Sequence, residues 1–561
     1  MGVTKVFAES QAQVSTERIF NVIGKGDIEQ IKDADRRQFA FSPYEPTGLY
    51  ASPNEKITIQ VEGTQNIQAY IGAYGYDAGW REYGTKIKSF TLKPGENTIE
   101  NSYGGMIYFY NSQQGGTVKA EIKTGGTPIP FFELGKHTKQ DLVTMLDKYP
   151  NAHAVELKGE RSLITASPER VKKYLLDSNT DPAELLKKID ESIRIEDRVA
   201  GLSEEQADKH YVAFAEDNHT PDYYMYANNF VTSYVGDSIQ YVLDINKFTK
   251  DGWGPWHEMG HQRQQNPWKW DGLGEVTNNI FSMSVERAFG NHPTGLEYDG
   301  RYERAFTYLN KPQSEKDYNK IDDVFVKLVM FWQLDLAFGE DFYPKLHQLY
   351  RAMPNEELPK TDDEQIQGFI YNTSKVAQKN LLPFFDKWGL KASPETRQKI
   401  EALNLQTLIA PIWEGTDSKP VPLNTLPKQN MKVIASSEEL GVEPATNAID
   451  GNPYTIWHSK WSEPNKYPSN LTIDLGETRT ITQLSYLPRQ DECPNGRILS
   501  YNIYTSTDGV NYQKVTSGTW ENSKKQQFAT FNPVTAKHVK LEVLNGVNGY
   551  ASAGEIDILG N

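Results

Sequence analysis

The sequence predicts a multidomain chain: an N-terminal β-sandwich, a central α-rich domain carrying a metal motif, and a C-terminal β-sandwich. Three observations predict it. Apolar and polar residues alternate with period two near both ends of the chain, the pattern of half-buried strands. Between those ends, apolar residues recur at helical spacing. The 561 residues are also too many for one hydrophobic core. The expected divisions are 1–132 for the first sandwich, 133–413 for the central domain, 414–429 for a linker and 430–561 for the last sandwich.

In the first division Ile57-Thr58-Ile59-Gln60-Val61 alternates, and 68–74 and 106–110 read as further strands punctuated by Gly and Asn. In the second, helices are expected at 138–148, 168–176, 182–199, 323–338, 341–352 and 364–388, with short strands at 154–157 and 239–243. Residues 414–429 hold three prolines and no periodic pattern, which reads as a linker. Beyond it, Leu471-Thr472-Ile473-Asp474-Leu475 and His538-Val539-Lys540-Leu541-Glu542-Val543 alternate again.

Composition narrows the function classes. Hydrophobic residues make up 38% and charged residues 24%, a globular balance. The net charge of −15, with no basic stripe, argues against a nucleic-acid partner. The single cysteine, Cys493, excludes an intramolecular disulfide and a cysteine-rich zinc site. No run approaches the length of a transmembrane helix. The N-terminal residues lack the apolar run of a signal peptide. A cytosolic protein and a mature secreted form with an added Met both fit, and the domains described below favour a secreted or cell-surface protein.

His257-Glu258-Met259-Gly260-His261 is the most informative stretch. Two histidines at i and i+4 share a helix face, so both rings can reach one Zn²⁺, and Glu258 beside them can act as general base. A catalytic zinc needs a third protein ligand and an open position. After a connector, a second helix is expected to start near Glu275, and its antiparallel return would bring that carboxylate over the first helix. Glu275 is therefore the expected third ligand; a Glu that merely complements a helix dipole is the alternative. Asp271 could orient a histidine, Glu286 lies about three turns further on, and Asn278 or Asn279 could bond a ligand or stay solvated. Trp253, Trp256, Trp268 and Trp270 flank the motif, where they could stack on sugar or pack the two helices together.

The segments 252–261 and 274–280, together with Pro46-Thr47-Gly48-Leu49-Tyr50-Ala51, resemble the enhancin-like zinc metallopeptidases, which include viral enhancins and bacterial mucin-degrading O-glycopeptidases. The resemblance spans roughly residues 40 to 400. It implies a gluzincin-like domain with Glu258 as base and His257, His261 and Glu275 as zinc ligands. It also implies O-glycosylated, mucin-like substrates.

The C-terminal run Ala448-Ile449-Asp450-Gly451-Asn452-Pro453-Tyr454-Thr455-Ile456-Trp457-His458-Ser459, with segments 486–491, 495–498 and 551–556, is similar to discoidin-type sandwiches, specifically the family-32 carbohydrate-binding modules. The resemblance implies that His458, Arg489 and Asn495 bond the hydroxyls of a galactose- or GalNAc-type sugar and that Tyr550 stacks on its ring, with Trp461 a rival for the last role. It further implies a structural Ca²⁺ held by Asp450, Asn452, Thr455 and Glu555; an Asx-turn at Asp450-Gly451 without metal is the alternative. The expected function is a secreted zinc endopeptidase acting on mucin-like glycoproteins. A glycan-binding adhesin with an inactive peptidase domain is the alternative, and a phospholipid-binding module would need apolar loop spikes where these residues suggest polar readout.

Overall fold

A computed structural model describes residues 17–560. The chain divides into two compact units, each described by itself: one comprises residues up to 269 with 277–291 and 350–353, the other 270–276, 292–349 and 354–561.

The first unit begins with a β-sandwich. One sheet runs Ile19–Lys25, Gln114–Thr124, Ile57–Val61, Gly95–Ile99; the other runs Lys88–Leu92, Ile67–Ile71, Gly105–Tyr110, Glu45–Ala51, Thr127–Pro128. Alternation does what the sequence predicts: Ile57, Ile59 and Val61 are buried, while Thr58 and Gln60 are half-buried. These three pack with Ile67, Ile71, Phe109 and Ile122 in the sandwich core. A tyrosine stack, Tyr74 on Tyr44 on Tyr108, packs outside the sandwich core with Ala154, Leu163 and Tyr211. The Tyr108 hydroxyl donates to Glu156 at 2.8 Å, and burial pushes that carboxyl up to about 7.

Glu156 belongs to a six-stranded mixed sheet, which is larger than the short interrupting strands the sequence suggests. Its order is Phe131–Glu133, Val155–Lys158, Ser162–Ala166, Val212–Asp217, Val231–Val235, Met225–Asn228. The last of these is an antiparallel edge strand. The helices Pro182–Val199, Trp253–His261 and Asn279–Ala288 pack together, with Ile189, Ile193, Met259 and Val285 in one core with Phe214 and Tyr234 of the sheet. The strand expected at 239–243 is instead helical over Gly236–Leu243. Ile239, Val242 and Leu243 are spaced i, i+3, i+4, and that spacing sends all three into the core.

In the second unit, Val324–Phe338 is apolar nearly all round and buried as a central helix. The single helix expected over 364–388 is two, Asp362–Ala377 and Leu382–Trp388. Gln378 caps the first with φ 54°, and Pro383 sits in the first turn of the second, where its missing N–H costs nothing.

The C-terminal sandwich has a sheet of order Lys432–Ala435, Ser469–Leu487, Gln527–Gly546, Ile498–Ser506, Gln513–Thr519, with Glu555–Gly560 joined to the second strand. The 19- and 20-residue strands slip register between Asp474 and Arg479, so each continues through an irregular stretch. Leu471 pairs with Leu541 and Ile473 with Val539, and all four are buried with Trp457 and Tyr486.

Residues 414–429 are not a loose tether. Asp417 accepts hydrogen bonds from the Thr294 backbone N–H and hydroxyl, the Tyr302 hydroxyl and Trp332 Nε1. Gln333 Nε2 donates to the Trp413 and Gly415 carbonyls. Lys419 and Lys428 are buried among Glu414, Glu555 and Asp557. Leu426 N–H donates to Ile558 and Gly560 N–H to Asn424, so the strap pairs with the last strand. Prolines and the absence of periodicity read as flexibility in sequence; here they describe an extended segment whose polar groups are satisfied by tertiary partners. Asp417→Ala would strip an acceptor from three side chains at once. Differential scanning calorimetry should show the transition of this unit lowered by roughly 5 °C or more; an unchanged transition would mean that the strap does not hold the unit together.

Candidate functional site

The helix Trp253–His261 is held tightly from several sides. Trp256 packs against Phe248 and Phe289. Just past its C-terminus, Arg263 is buried against Glu196 and Asp197 of the long helix Pro182–Val199. Two glycines permit close neighbours: a β-carbon at Gly254 would press on Met225 Sδ, and one at Gly260 would collide with the Asn278 carbonyl. The first contact sets the helix against the edge strand Met225–Asn228, and Gln262 Nε2 adds a bond to the Asn228 carbonyl at 3.2 Å. The second lets the returning chain lie directly on the helix.

Ligand atoms of His257, His261 and Glu275 lie within 4.8 Å of one another. Glu275 reaches this place by chain continuity, two residues before Thr277. It occupies a turn, and the following helix begins only at Asn279, four residues later than the sequence suggests. The reason lies in Asn278 and Asn279. Both are buried, and their side chains serve the histidines, so the chain is shaped by those bonds before it becomes helical. Asn279 Oδ1 lies 2.8 Å from His257 Nδ1 and Gln264 Oε1 lies 2.9 Å from His261 Nδ1. An amide oxygen can only accept, so each Nδ1 carries the proton and each Nε2 is an acceptor, that of His261 facing Asn278 Nδ2 at 3.3 Å. Gln264 is itself fixed by Thr277 through a 2.8 Å bond, and Asn279 by Ser282. Glu258 is 6% exposed, whereas Glu275 is exposed and the two histidines are half-buried. Two imidazole nitrogens and a carboxylate, with their outer bonds already made and one side open, fit a catalytic zinc.

Other sequence expectations fare differently. Asp271 is exposed, and its N–H donates to Asp362 Oδ1 at 3.2 Å. Trp256, Trp268 and Trp270 are core residues, each no more than 2% exposed, so they offer no sugar-stacking face. Of the two asparagines that the sequence offers as partners of a ligand or as solvated groups, Asn279 meets His257; Gln264 went unassigned, and its signal is a polar residue that the amphipathic pattern would place in the core.

In the C-terminal sandwich, Arg489 is clamped by Asp491 through two 2.7 Å bonds and donates to the Asn495 carbonyl. Asn548 Nδ2 donates to Asn495 Oδ1 at 2.6 Å. The rings of His458 and Tyr550 are 5.1 Å apart. His458 Nδ1 donates to the Ser459 carbonyl, and burial lowers its pKa, so Nε2 is an acceptor. Asp450, Asn452 and Thr455 share one turn: Asp450 accepts from the Asn452 N–H and the Thr455 hydroxyl, which is an Asx-turn. Glu555 is tied to that turn through the Gly451 N–H, while its other oxygen meets Lys428.

Sequence comparison accounts for each part. Residues 125–389 match the model of peptidase M60, enhancin and enhancin-like proteins, and residues 10–124 match the N-terminal domain of M60-like peptidases. The chain belongs to the M60 peptidases. Residues 432–556 match the F5/8 type C domain, the discoidin fold. A conserved Bacillus anthracis protein of unknown function is 45% identical, covering 82% of this chain and 96% of that one with a TM-score of 0.68. The M60 catalytic domain of Clostridium perfringens ZmpC, solved with the sialyl T antigen, shares the fold at 18% identity and a TM-score of 0.62, covering 92% of this chain and 100% of that one. A Micromonospora viridifaciens sialidase is 36% identical over 148 residues, 25% of this chain and 23% of its own length. The M60 chain spans less than half the length of the curated relatives it matches.

The outer bonds make a specific demand. Asn279→Ala should weaken zinc binding about tenfold to a hundredfold in a chelator competition on the folded protein, beyond the modest fall in thermal transition that losing a buried amide brings. Wild-type affinity in this variant would show that the amide does not orient His257.

Proposed function

We propose that this M60 peptidase is a secreted or cell-surface zinc endopeptidase that cleaves O-glycosylated, mucin-like proteins, aided by a C-terminal module that binds galactose- or GalNAc-type glycans. The observation that carries the proposal is the convergence of His257, His261 and Glu275, with Glu258 on the same helix as both histidines.

His257 and His261 would hold zinc through Nε2, and Glu275 through a carboxylate oxygen. When bound, the metal supplies Lewis-acid polarisation of a carbonyl and a lowered pKa for water. Glu258 takes the proton of the attacking water and returns it to the leaving amine. The residue is 6% exposed, so little bulk water competes for that carboxylate. The edge strand Met225–Asn228, unpaired by sheet strands on its outer side and packed on the zinc helix, offers backbone groups to an extended substrate. The glycan requirement draws support from the discoidin module and from the sugar bound by the ZmpC domain. Glu258→Gln should lower cleavage of mucin by at least about a thousandfold while zinc content stays at the wild-type value. Wild-type protein should cut mucin and leave its deglycosylated form intact. Equal cleavage of both forms would refute the glycan requirement, and activity surviving in Glu258→Gln would refute the base.

In the module, Arg489 and Asn495 would bond the sugar hydroxyls, His458 Nε2 would accept from one, and Tyr550 would stack on the ring. Asp450, Asn452, Thr455 and Glu555 would hold calcium, stiffening the turn preceding His458, with the ion displacing Lys428 from its Glu555 oxygen. His458→Ala should abolish galactose binding measured by calorimetry. Because burial lowers the His458 pKa from the usual imidazole value, wild-type binding should be level above neutral pH, with any loss confined to the acid side. Excess EGTA should weaken it. Loss of binding as pH rises above neutral would contradict the neutral-acceptor role.

A further inference from the structure

Three large apolar side chains stand exposed beside the candidate sugar residues: Leu440 at 72%, Val442 at 59% and Trp461 at 51%. They are not stray. The Glu439 N–H donates to the His458 carbonyl at 2.9 Å and the His458 N–H to the Glu443 carbonyl at 3.2 Å, so the loop is strapped across the strand that carries His458. Glu439 and Glu443 bridge each other, which leaves Leu440-Gly441-Val442 as the protruding tip. Glu439 accepts from the Trp461 N–H and Glu443 from Trp461 Nε1, both at 3.0 Å, and these bonds fix the indole beside the loop. The Trp461 carbonyl in turn accepts from the Tyr550 hydroxyl at 3.0 Å, so this apolar rim is continuous with the expected sugar-stacking ring.

We infer that Leu440, Val442 and Trp461 form a second contact surface that reads the uncharged polypeptide carrying the sugar, so that the module prefers a glycopeptide to the free sugar. The inference rests on reading His458, Arg489, Asn495 and Tyr550 as the sugar site. Burying exposed apolar groups in a rim around a polar pocket adds affinity only if the ligand extends beyond one sugar ring. Charge selects the occupant. Glu438, Glu439 and Glu443 lie in or beside this loop, in a chain of net charge −15, so an anionic membrane surface is repelled while a neutral Ser-, Thr- and Pro-rich stem is not.

The test uses the full chain with Glu258→Gln to prevent cleavage. Its probes are free N-acetylgalactosamine, a neutral synthetic peptide bearing one GalNAc on threonine, and phosphatidylcholine vesicles bearing a galactosyl lipid. The double variant Leu440→Ser/Val442→Ser should weaken glycopeptide binding about tenfold and leave free-sugar binding within about twofold. Val510→Ser, at a residue 78% exposed on a separate turn, should change neither. An equal loss for sugar and glycopeptide, an unchanged glycopeptide affinity, or a loss seen only with vesicles would overturn the inference. A parent protein that binds no free sugar would refute the sugar-site reading itself, and the rim inference with it.

Discussion

The site depends on how closely the chain returns to the zinc helix at Gly260. With no side chain there, the Asn278 backbone lies against the helix, and the residues around it gain their positions together. Asn279 meets His257, Thr277 meets Gln264 and through it His261, and Glu275 arrives beside both rings. A larger residue at 260 would push away the segment that carries Glu275, the Thr277 hydroxyl that fixes Gln264, and Asn279. Buried amides of this kind are high-stakes, because each is costly to bury unless its hydrogen bonds are made. Here they are made to the ligand rings, so packing and metal geometry are one constraint.

The second unit obeys a parallel logic with charge in place of close packing. Three buried carboxylates, Glu414, Glu555 and Asp557, face two buried lysines, Lys419 and Lys428. Proximity to this acidic group holds Lys428 well above the ordinary lysine range, although burial opposes it. Removing one lysine would leave an uncompensated buried charge, the costly way to break such a group. The cluster makes the strap part of the module's interior, and Asp417 makes the same strap part of the helical layer.

Much of this was legible in sequence. Alternation located the strands at 57–61 and 471–475, and helical spacing located 182–199 to the residue. The motif at 257–261 and the carboxylate at 275 were legible because metal chemistry restricts residue type and spacing so severely. The misses share a cause. The strand expected at 239–243, the unbroken helix at 364–388 and the linker at 414–429 were judged from local pattern, whereas tertiary partners decided each. The sequence left the flanking tryptophans open between a sugar platform and helix packing, and burial assigns Trp256, Trp268 and Trp270 to packing. Asn279 was offered only alongside Asn278, Gln264 looks like an ordinary polar residue, and nothing in a single sequence tells which buried amide will face a histidine.

The C-terminal module shows where residue chemistry and placement part company. Its polar candidates are individually well prepared: Arg489 is clamped, His458 is held as an acceptor, and Asn495 is fixed by Asn548. Their use depends on a ligand fitting among them, and therefore on the peptidase and the module acting on the same glycoprotein. The claim on which all else rests is simpler, that His257, His261 and Glu275 hold one zinc. Anomalous diffraction across the zinc edge from crystals of the loaded protein tests it most directly. The account predicts a single strong peak about 2.0–2.1 Å from both Nε2 atoms and about 2.0–2.2 Å from a Glu275 oxygen. A peak ligated by other residues, or by the histidines through Nδ1, would contradict it.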